Sequence, residues 1–265
     1  MSPSPAPFRL HPGAPGSPVL LHVPHASREI PAGVREGIVL DDAALEAELD
    51  RITDARTDEI AAVAAASAPV VPWRFVNGLS RLVVDPERFP DEREEMLAVG
   101  MGAVYTRTTG GAELRPAGTD PGPLTARYFA PYARAMTEAV AERLAAVGRA
   151  VVVDVHSYPA VALPYELHGG GPRPPVCLGT DAFHTPDGLV EAARRAFAGF
   201  GGTELDTPFA GAYVPLRFHR RDPRVGALMV ELRRDLYLDE RGVPRPGRVA
   251  ALGAALAGLV EEISG

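Results

Sequence analysis

Four short apolar runs constrain this chain more than any other feature. Val19 to Val23, Val151 to Val155, Val176 to Gly179 and Ala227 to Leu232 are dense in Val and Leu and almost free of polar residues. A strand with one wet face alternates, whereas a strand covered on both faces reads as a nearly continuous apolar run. Longer segments with helical spacing lie between and after the runs, at Asp42 to Leu49, Asp54 to Ala66, Leu124 to Val147, Asp187 to Phe200 and Arg248 to Ile263. Strands that alternate with helices predict an α/β fold around a mainly parallel or mixed sheet. There is no fixed-period repeat of the solenoid or propeller kind.

The 265 residues, 46% of them apolar, suit one domain over 19–265, preceded by a Pro-, Ser- and Gly-rich segment 1–18 that reads as a flexible lead-in. Residues 89–123 mix acidic side chains with Thr-Gly-Gly and Pro-Gly punctuation and read as a surface insert or lid; residues 168–175 read as another loop. A formal charge of -7 offers no basic footprint, so a small molecule is expected as partner, not nucleic acid or a membrane. All 27 cationic side chains are arginine, which excludes a Schiff-base lysine. The single cysteine, Cys177, permits no intrachain disulfide. Segment 1–18 lacks the basic start and apolar stretch of a signal peptide, and no run approaches the roughly eighteen apolar residues of a membrane span, so a cytoplasmic location is expected.

Function is written where polar residues interrupt or end the apolar runs. Ligands of open α/β sheets gather beyond the carboxyl ends of the strands. His25 follows the first run after Pro24, His156 ends the second, Glu231 lies inside the last, and Asp54 heads a helix-like segment. Two imidazoles and a carboxylate are a common ligand set for a catalytic zinc, and a further carboxylate is what its water needs as base. Each residue has a plainer reading. His25 could cap a turn, Asp54 could serve a helix N-terminus with Asp50 and Asp58 as rival ligands, and Glu231 could pair with Arg233 or Arg234. Asp154 shares the strand face of His156 and suits an orienting partner or a ligand. His22 reads as a core or hydrogen-bonding histidine, and His11, His168, His184 and His219 as mostly surface residues.

Arginines form a second constellation. Ser80 to Arg88 brackets a very short strand with Arg81 and Arg88, and Phe209 to Arg221 brings Tyr213, Arg217, His219, Arg220 and Arg221. A guanidinium fork matches a carboxylate, so arginines near a metal crevice point to an anionic substrate; the plainer reading pairs Arg81 and Arg88 with Asp85 and Glu87.

Several pieces in order resemble the N-formylglutamate amidohydrolase family. They are Val23-Pro24-His25-Ala26-Ser27 with Ile30-Pro31, Thr53-Asp54 with Asp58, Ser80-Arg81-Leu82-Val83-Val84-Asp85 with Arg88, Asp154-Val155-His156-Ser157, Gly179-Thr180, and Val230-Glu231-Leu232 with Tyr237 to Glu240. The resemblance covers about residues 19 to 240. It implies a phosphorylase/hydrolase-like three-layer α/β sandwich, similar to zinc carboxypeptidases, and one Zn2+ per chain held by His25, Asp54 and His156, with other divalent metals admissible. It further implies Glu231 as general base. For metal-assisted hydrolysis of a small anionic N-acyl amino acid, Arg81 or Arg217 is then expected as partner of the developing oxyanion, and Arg88, Arg217 and Ser157 beside the substrate. The family's Asp-x-Asn-Arg stands here as Asp85-Pro86-Glu87-Arg88. Glu87 is therefore expected either to repel a substrate carboxylate or to occupy Arg88.

Overall fold

The computed structural model describes residues 7–168 and 170–265. Seven strands form one mixed sheet: β1 (Phe8–His11), β2 (Val19–Val23), β3 (Trp73–Asn77), β4 (Ala150–Tyr158), β5 (Val176–Gly179), β6 (Thr203–Leu205) and β7 (Val225–Arg233), in the spatial order β1-β3-β2-β4-β7-β5-β6. Strands β3, β2, β4 and β7 run parallel, while β1 pairs antiparallel with β3 and β5 antiparallel with β7. The expected mixed α/β sheet is therefore present, and the four apolar runs are β2, β4, β5 and β7. Segment 1–18, read as a flexible lead-in, supplies edge strand β1; residues 1–6 lie outside the described residues.

The helices are α1 (Ala32–Arg35), α2 (Asp42–Ile52), α3 (Thr57–Ser67), α4 (Gly122–Leu124), α5 (Ala130–Val147), α6 (Asp187–Phe197) and α7 (Arg248–Ser264). Side chains alternate across a strand, so each central strand feeds two cores. Val19, Leu21, Val23, Val151, Val153, Val155, Leu228 and Val230 face α3, α6 and α7. Leu20, Val152 and Ala227 point the other way, onto Tyr132, Met136 and Val140, which recur at i, i+4 and i+8 along α5. Three layers result, helices on both faces of the sheet. No helix among the described residues is long and apolar enough to cross a membrane.

The 89–123 excursion is packed, with its own apolar cluster of Met96, Met101, Tyr105 and Leu114 against Leu45, Leu49 and Ile52 of α2. Buried polar groups pin it. Glu48 accepts from the Thr109 amide at 2.6 Å, and the buried Arg115 donates to Tyr105 O at 2.6 Å and Leu82 O at 2.5 Å. Burial pulls the Arg115 guanidinium down to about 10. The very short strand expected between Arg81 and Arg88 is a series of turns, and the strand in this region is β3, a few residues earlier. Those turns bury Leu82, Val83 and Val84 in apolar clusters and direct Arg81, Asp85, Glu87 and Arg88 into the crevice at the carboxyl ends of the parallel strands.

Helix α7 crosses α3 at a close approach that only a residue without a side chain allows. A Cβ on Gly253 would lie 2.4 Å from Val63 Cγ1 and 3.1 Å from Ile60 O. Gly253→Ala should therefore destabilise the protein by about 1–3 kcal/mol, measured as a lowered urea midpoint with unchanged slope, because overpacking outweighs the gain in helix propensity.

Candidate metal centre

Strand register assembles the centre. His156 on β4 lies directly beside Glu231 on β7, and His22 on β2 directly beside Asp154 on β4. All four side chains share the α5 side of the sheet by parity, near the carboxyl ends of the strands. His25 enters from the loop after β2, past Pro24. Asp54 sits between α2 and α3, not on the first turn of a helix as expected: Thr53 caps the end of α2 and Arg56 precedes α3 in a left-handed conformation, φ 69°. The Asp54 amide donates to His25 O at 3.0 Å, which ties the two loops together. Its carboxylate is left free to face the imidazoles. The rival acids lie elsewhere, Asp50 in a surface pair with Arg28 and Asp58 exposed.

His25, Asp54 and His156 thus come together, all buried. His25 Nδ1 and His156 Nδ1 are 3.3 Å apart, and Asp54 Oδ2 lies 3.0 Å from His156 Nδ1 and 3.6 Å from His25 Nδ1. Ligand atoms about 2.1 Å from a tetrahedral zinc are about 3.4 Å from one another, so this triangle fits such an ion. Two other clusters bring His and carboxylates within reach: His22 with Glu87 and Asp154, and His25 with Asp85 and Glu87. In the first, His22 Nδ1 is 2.5 Å from Asp154 Oδ1, a hydrogen bond too short to be spanned by two bonds to one ion. In the second, His25 would use Nε2, which Asp85 Oδ1 already engages at 3.0 Å. That contact orients the ring and leaves Nδ1 for a metal.

The electrostatics favour a cation. Burial would raise the carboxyl of Asp54, but hydrogen bonds from His156 and His25 prevail and hold it below the ordinary range. Burial disfavours a charged His156, yet Glu87 and Asp54 keep it protonated well above the usual imidazole value. The acids draw positive charge into the centre, and a divalent ion would supply it in place of protons. Glu231 is pushed up to about 7, first by burial, with His156 opposing and Asp54 adding to the rise.

Five buried polar side-chain atoms among the described residues have no hydrogen-bond partner, and four belong to residues lining one cavity of about 800 Å3: Glu87 Oε1, Arg88 Nε, His156 Nε2 and Glu231 Oε2. Buried polar atoms seldom stay unpaired without a functional reason. Glu231 pairs with neither Arg233 nor Arg234. Arg233 turns to Asp235, and Arg234 bridges Arg51 O at 2.7 Å, Ser157 O at 3.3 Å and Asp54 Oδ1 at 3.4 Å. Its Nε also donates to Ser157 Oγ at 3.3 Å.

The arginines divide. Arg81 is committed internally, donating to Asp85 Oδ2 at 2.6 Å and to the Tyr105 hydroxyl at 3.0 Å, as the plainer reading held. Arg88 lies 3.6 Å from Asp85 and 3.5 Å from Glu94, with a quarter of its side chain exposed. Arg217 lines the cavity from the other side, close to Phe218, and forms no ion pair among the described residues. Glu87 neither blocks Arg88 nor projects into open space. It lies among His22, His25 and His156. His22 is the buried, hydrogen-bonding histidine expected, joined to Asp154 and to the Tyr132 hydroxyl at 2.5 Å; sequence reasoning missed two participants here, Asp85 behind His25 and Arg234 behind Asp54. His184, read with the surface histidines, is buried and bonded to Val225 O at 2.7 Å.

A three-layer α/β domain with an imidazole and carboxylate centre at the carboxyl ends of its parallel strands is the class that fold and site define. The chain belongs to the N-formylglutamate amidohydrolase family, whose model matches residues 17–238. No curated protein matches it. Among solved structures it is similar to an N-formylglutamate amidohydrolase from Ralstonia eutropha JMP134, with a TM-score of 0.79 at 22% identity over 98% of this chain and 97% of that one. It is also similar to a gene product of Agrobacterium tumefaciens, with a TM-score of 0.71 at 21% identity over 97% and 94% of the two chains. At these identities the likeness is one of fold.

With a zinc ion at this triangle, His156→Ala and Asp54→Ala would each abolish its uptake in equilibrium dialysis, a greater loss than the roughly 10–100-fold that removal of a residue bonded behind a ligand causes. Asp58→Ala should bind zinc like the parent.

Proposed function

We propose that the chain is a zinc-dependent amidohydrolase that cleaves the amide of an N-acyl amino acid, with N-formyl-L-glutamate, giving formate and glutamate, as its leading substrate. The observation that carries this reading is the donor triangle of His25, Asp54 and His156 beside a buried, unpaired Glu231. Family membership supports the reaction class. A zinc ion held by the triangle would supply Lewis acidity for water and for the acyl oxygen.

The chain's own groups do the rest. Glu231 accepts the proton of the attacking water and delivers it to the leaving nitrogen, a role suited to a carboxylate lifted to about 7 by burial. Asp85 and Arg234 hold His25 and Asp54 in place from behind. Arg217, without a carboxylate partner among the described residues, receives the substrate carboxylate, joined by Arg88, whose Nε makes no hydrogen bond although the guanidinium lies near Asp85 and Glu94. Arg81 contributes positive charge near the developing oxyanion while remaining bonded to Asp85. Ser157, clamped by Arg234, lines the same cavity.

One observation favours a second reading within the class. N-formylglutamate has about a dozen heavy atoms, and a cavity near 800 Å3 is of the size that takes drug-sized ligands, so another N-acyl amino acid or a peptide-like amide also fits. Amine release by the zinc-loaded protein from N-formyl-L-glutamate, run beside matched N-formyl and N-acetyl amino acids, decides between them. Silence across the set would refute an N-acyl amino acid as substrate and leave the peptide-like amide. Glu231→Gln should keep zinc and substrate binding while kcat falls by roughly 10²–10⁴, measured by steady-state kinetics alongside metal content.

A further inference from the structure

The turn Asp85-Pro86-Glu87 delivers two carboxylates, two residues apart, to the two histidines of the metal centre. Asp85 Oδ1 meets His25 Nε2 at 3.0 Å. Glu87 Oε2 lies 3.2 Å from His156 Nε2, and 3.8 Å from His25 Nε2. The turn is itself braced, because the Glu87 amide donates to Asp85 Oδ1 at 3.2 Å and Arg81 holds the other oxygen of Asp85. His156 Nε2 has no aligned acceptor, and Glu87 is the one carboxylate that lies within 4 Å of it among the described residues. The far oxygen of Glu87 faces His22 Nδ1 at 3.5 Å, where His22 is fixed by Asp154 and Tyr132. Only 17% of the Glu87 side chain is exposed.

We propose that Glu87 is a positioning residue of the metal centre, the carboxylate that orients His156 through Nε2 as Asp85 orients His25, and not a group that meets the substrate. A metal-bound imidazole normally gives its second N–H to a carboxylate or carbonyl, which fixes the ring and strengthens it as a ligand. The proposal rests on the reading that His25, Asp54 and His156 hold a divalent cation.

The test is the zinc dissociation constant, measured by competition with a chromophoric chelator for the parent, Glu87→Ala, Glu87→Gln and Asp85→Ala, with thermal melting as the check on folding. Glu87→Ala and Asp85→Ala are expected to weaken zinc by about 10–100-fold. Glu87→Gln is nearly isosteric and keeps an acceptor oxygen, so it should lose less than Glu87→Ala, a rescue that repulsion between Glu87 and a substrate would not produce. Zinc affinity unchanged in both Glu87 variants, beside a strong loss in His156→Ala, would overturn the inference and leave the metal reading intact. A lowered KM for anionic substrates with unchanged zinc affinity would likewise overturn it, because Glu87 would then face the substrate. A parent chain that takes up no zinc would defeat both readings.

Discussion

Buried negative charge is what the rest of this structure is arranged around. Asp54, Asp85, Asp154 and Glu231 are withdrawn from water, with Glu87 only slightly more open. An isolated buried carboxylate is too costly to persist charged, so each must be protonated, paired or bound to a cation. Arg81 and Arg88 serve Asp85, Arg234 serves Asp54, and three histidines fill the space between the acids. A well-packed apolar cluster would commonly be as stable as such a network. Under the proposed reading the network is explained by chemistry at its centre, where a carboxyl group of raised pKa stands in register beside a set of metal-donor side chains.

The scaffold gives that centre its precision. Sites carried on strands are held more rigidly than sites on loops, and β4 and β7 bring His156 and Glu231 into adjacent register inside a sheet covered by helices on both faces. The loop-borne side chains His25 and Asp54 are tied down separately. The Asp54 amide bonds to His25 O, and the Tyr237 hydroxyl bonds to Ala55 O, so the loop that carries Asp54 is fastened to β2 on one side and to the turn after β7 on the other. The 89–123 excursion completes the wall. Through Arg115 it holds Leu82 O at the start of the turns that carry Asp85 and Glu87, and through Thr109 it is tied to Glu48 of α2.

Much of this was legible in the chain. The four doubly covered strands stand out as Val- and Leu-rich runs because burial on both faces leaves no polar alternation to blur them. Strands β1, β3 and β6 escaped notice. The first is half exposed at the sheet edge, the second carries Trp73 and Arg74 and is only partly buried, and the third is three residues long and exposed. Of the centre, His25, Asp54, His156 and Glu231 stand out by position and resemblance; the structure brings the first three together and sets Glu231 beside His156 in strand register. Asp85 and Glu87 were seen as neighbours of arginines, and their turn toward histidines depends on contacts with residues far away in sequence.

The sequence by itself determined which residues must be buried, where strands and helices alternate, and which polar side chains interrupt that pattern at strand ends. Those are local properties, set by the period of apolar residues and by the cost of placing charge among them. Tertiary structure alone decided which acid serves which imidazole. Asp54 prevails over Asp50 and Asp58 because of where the loop between α2 and α3 docks, and Glu87 turns away from its neighbour Arg88 because His22, His25 and His156 converge beside it. Charges choose partners by distance through space, and in this chain those distances are set by strand order and by loops pinned across the sheet.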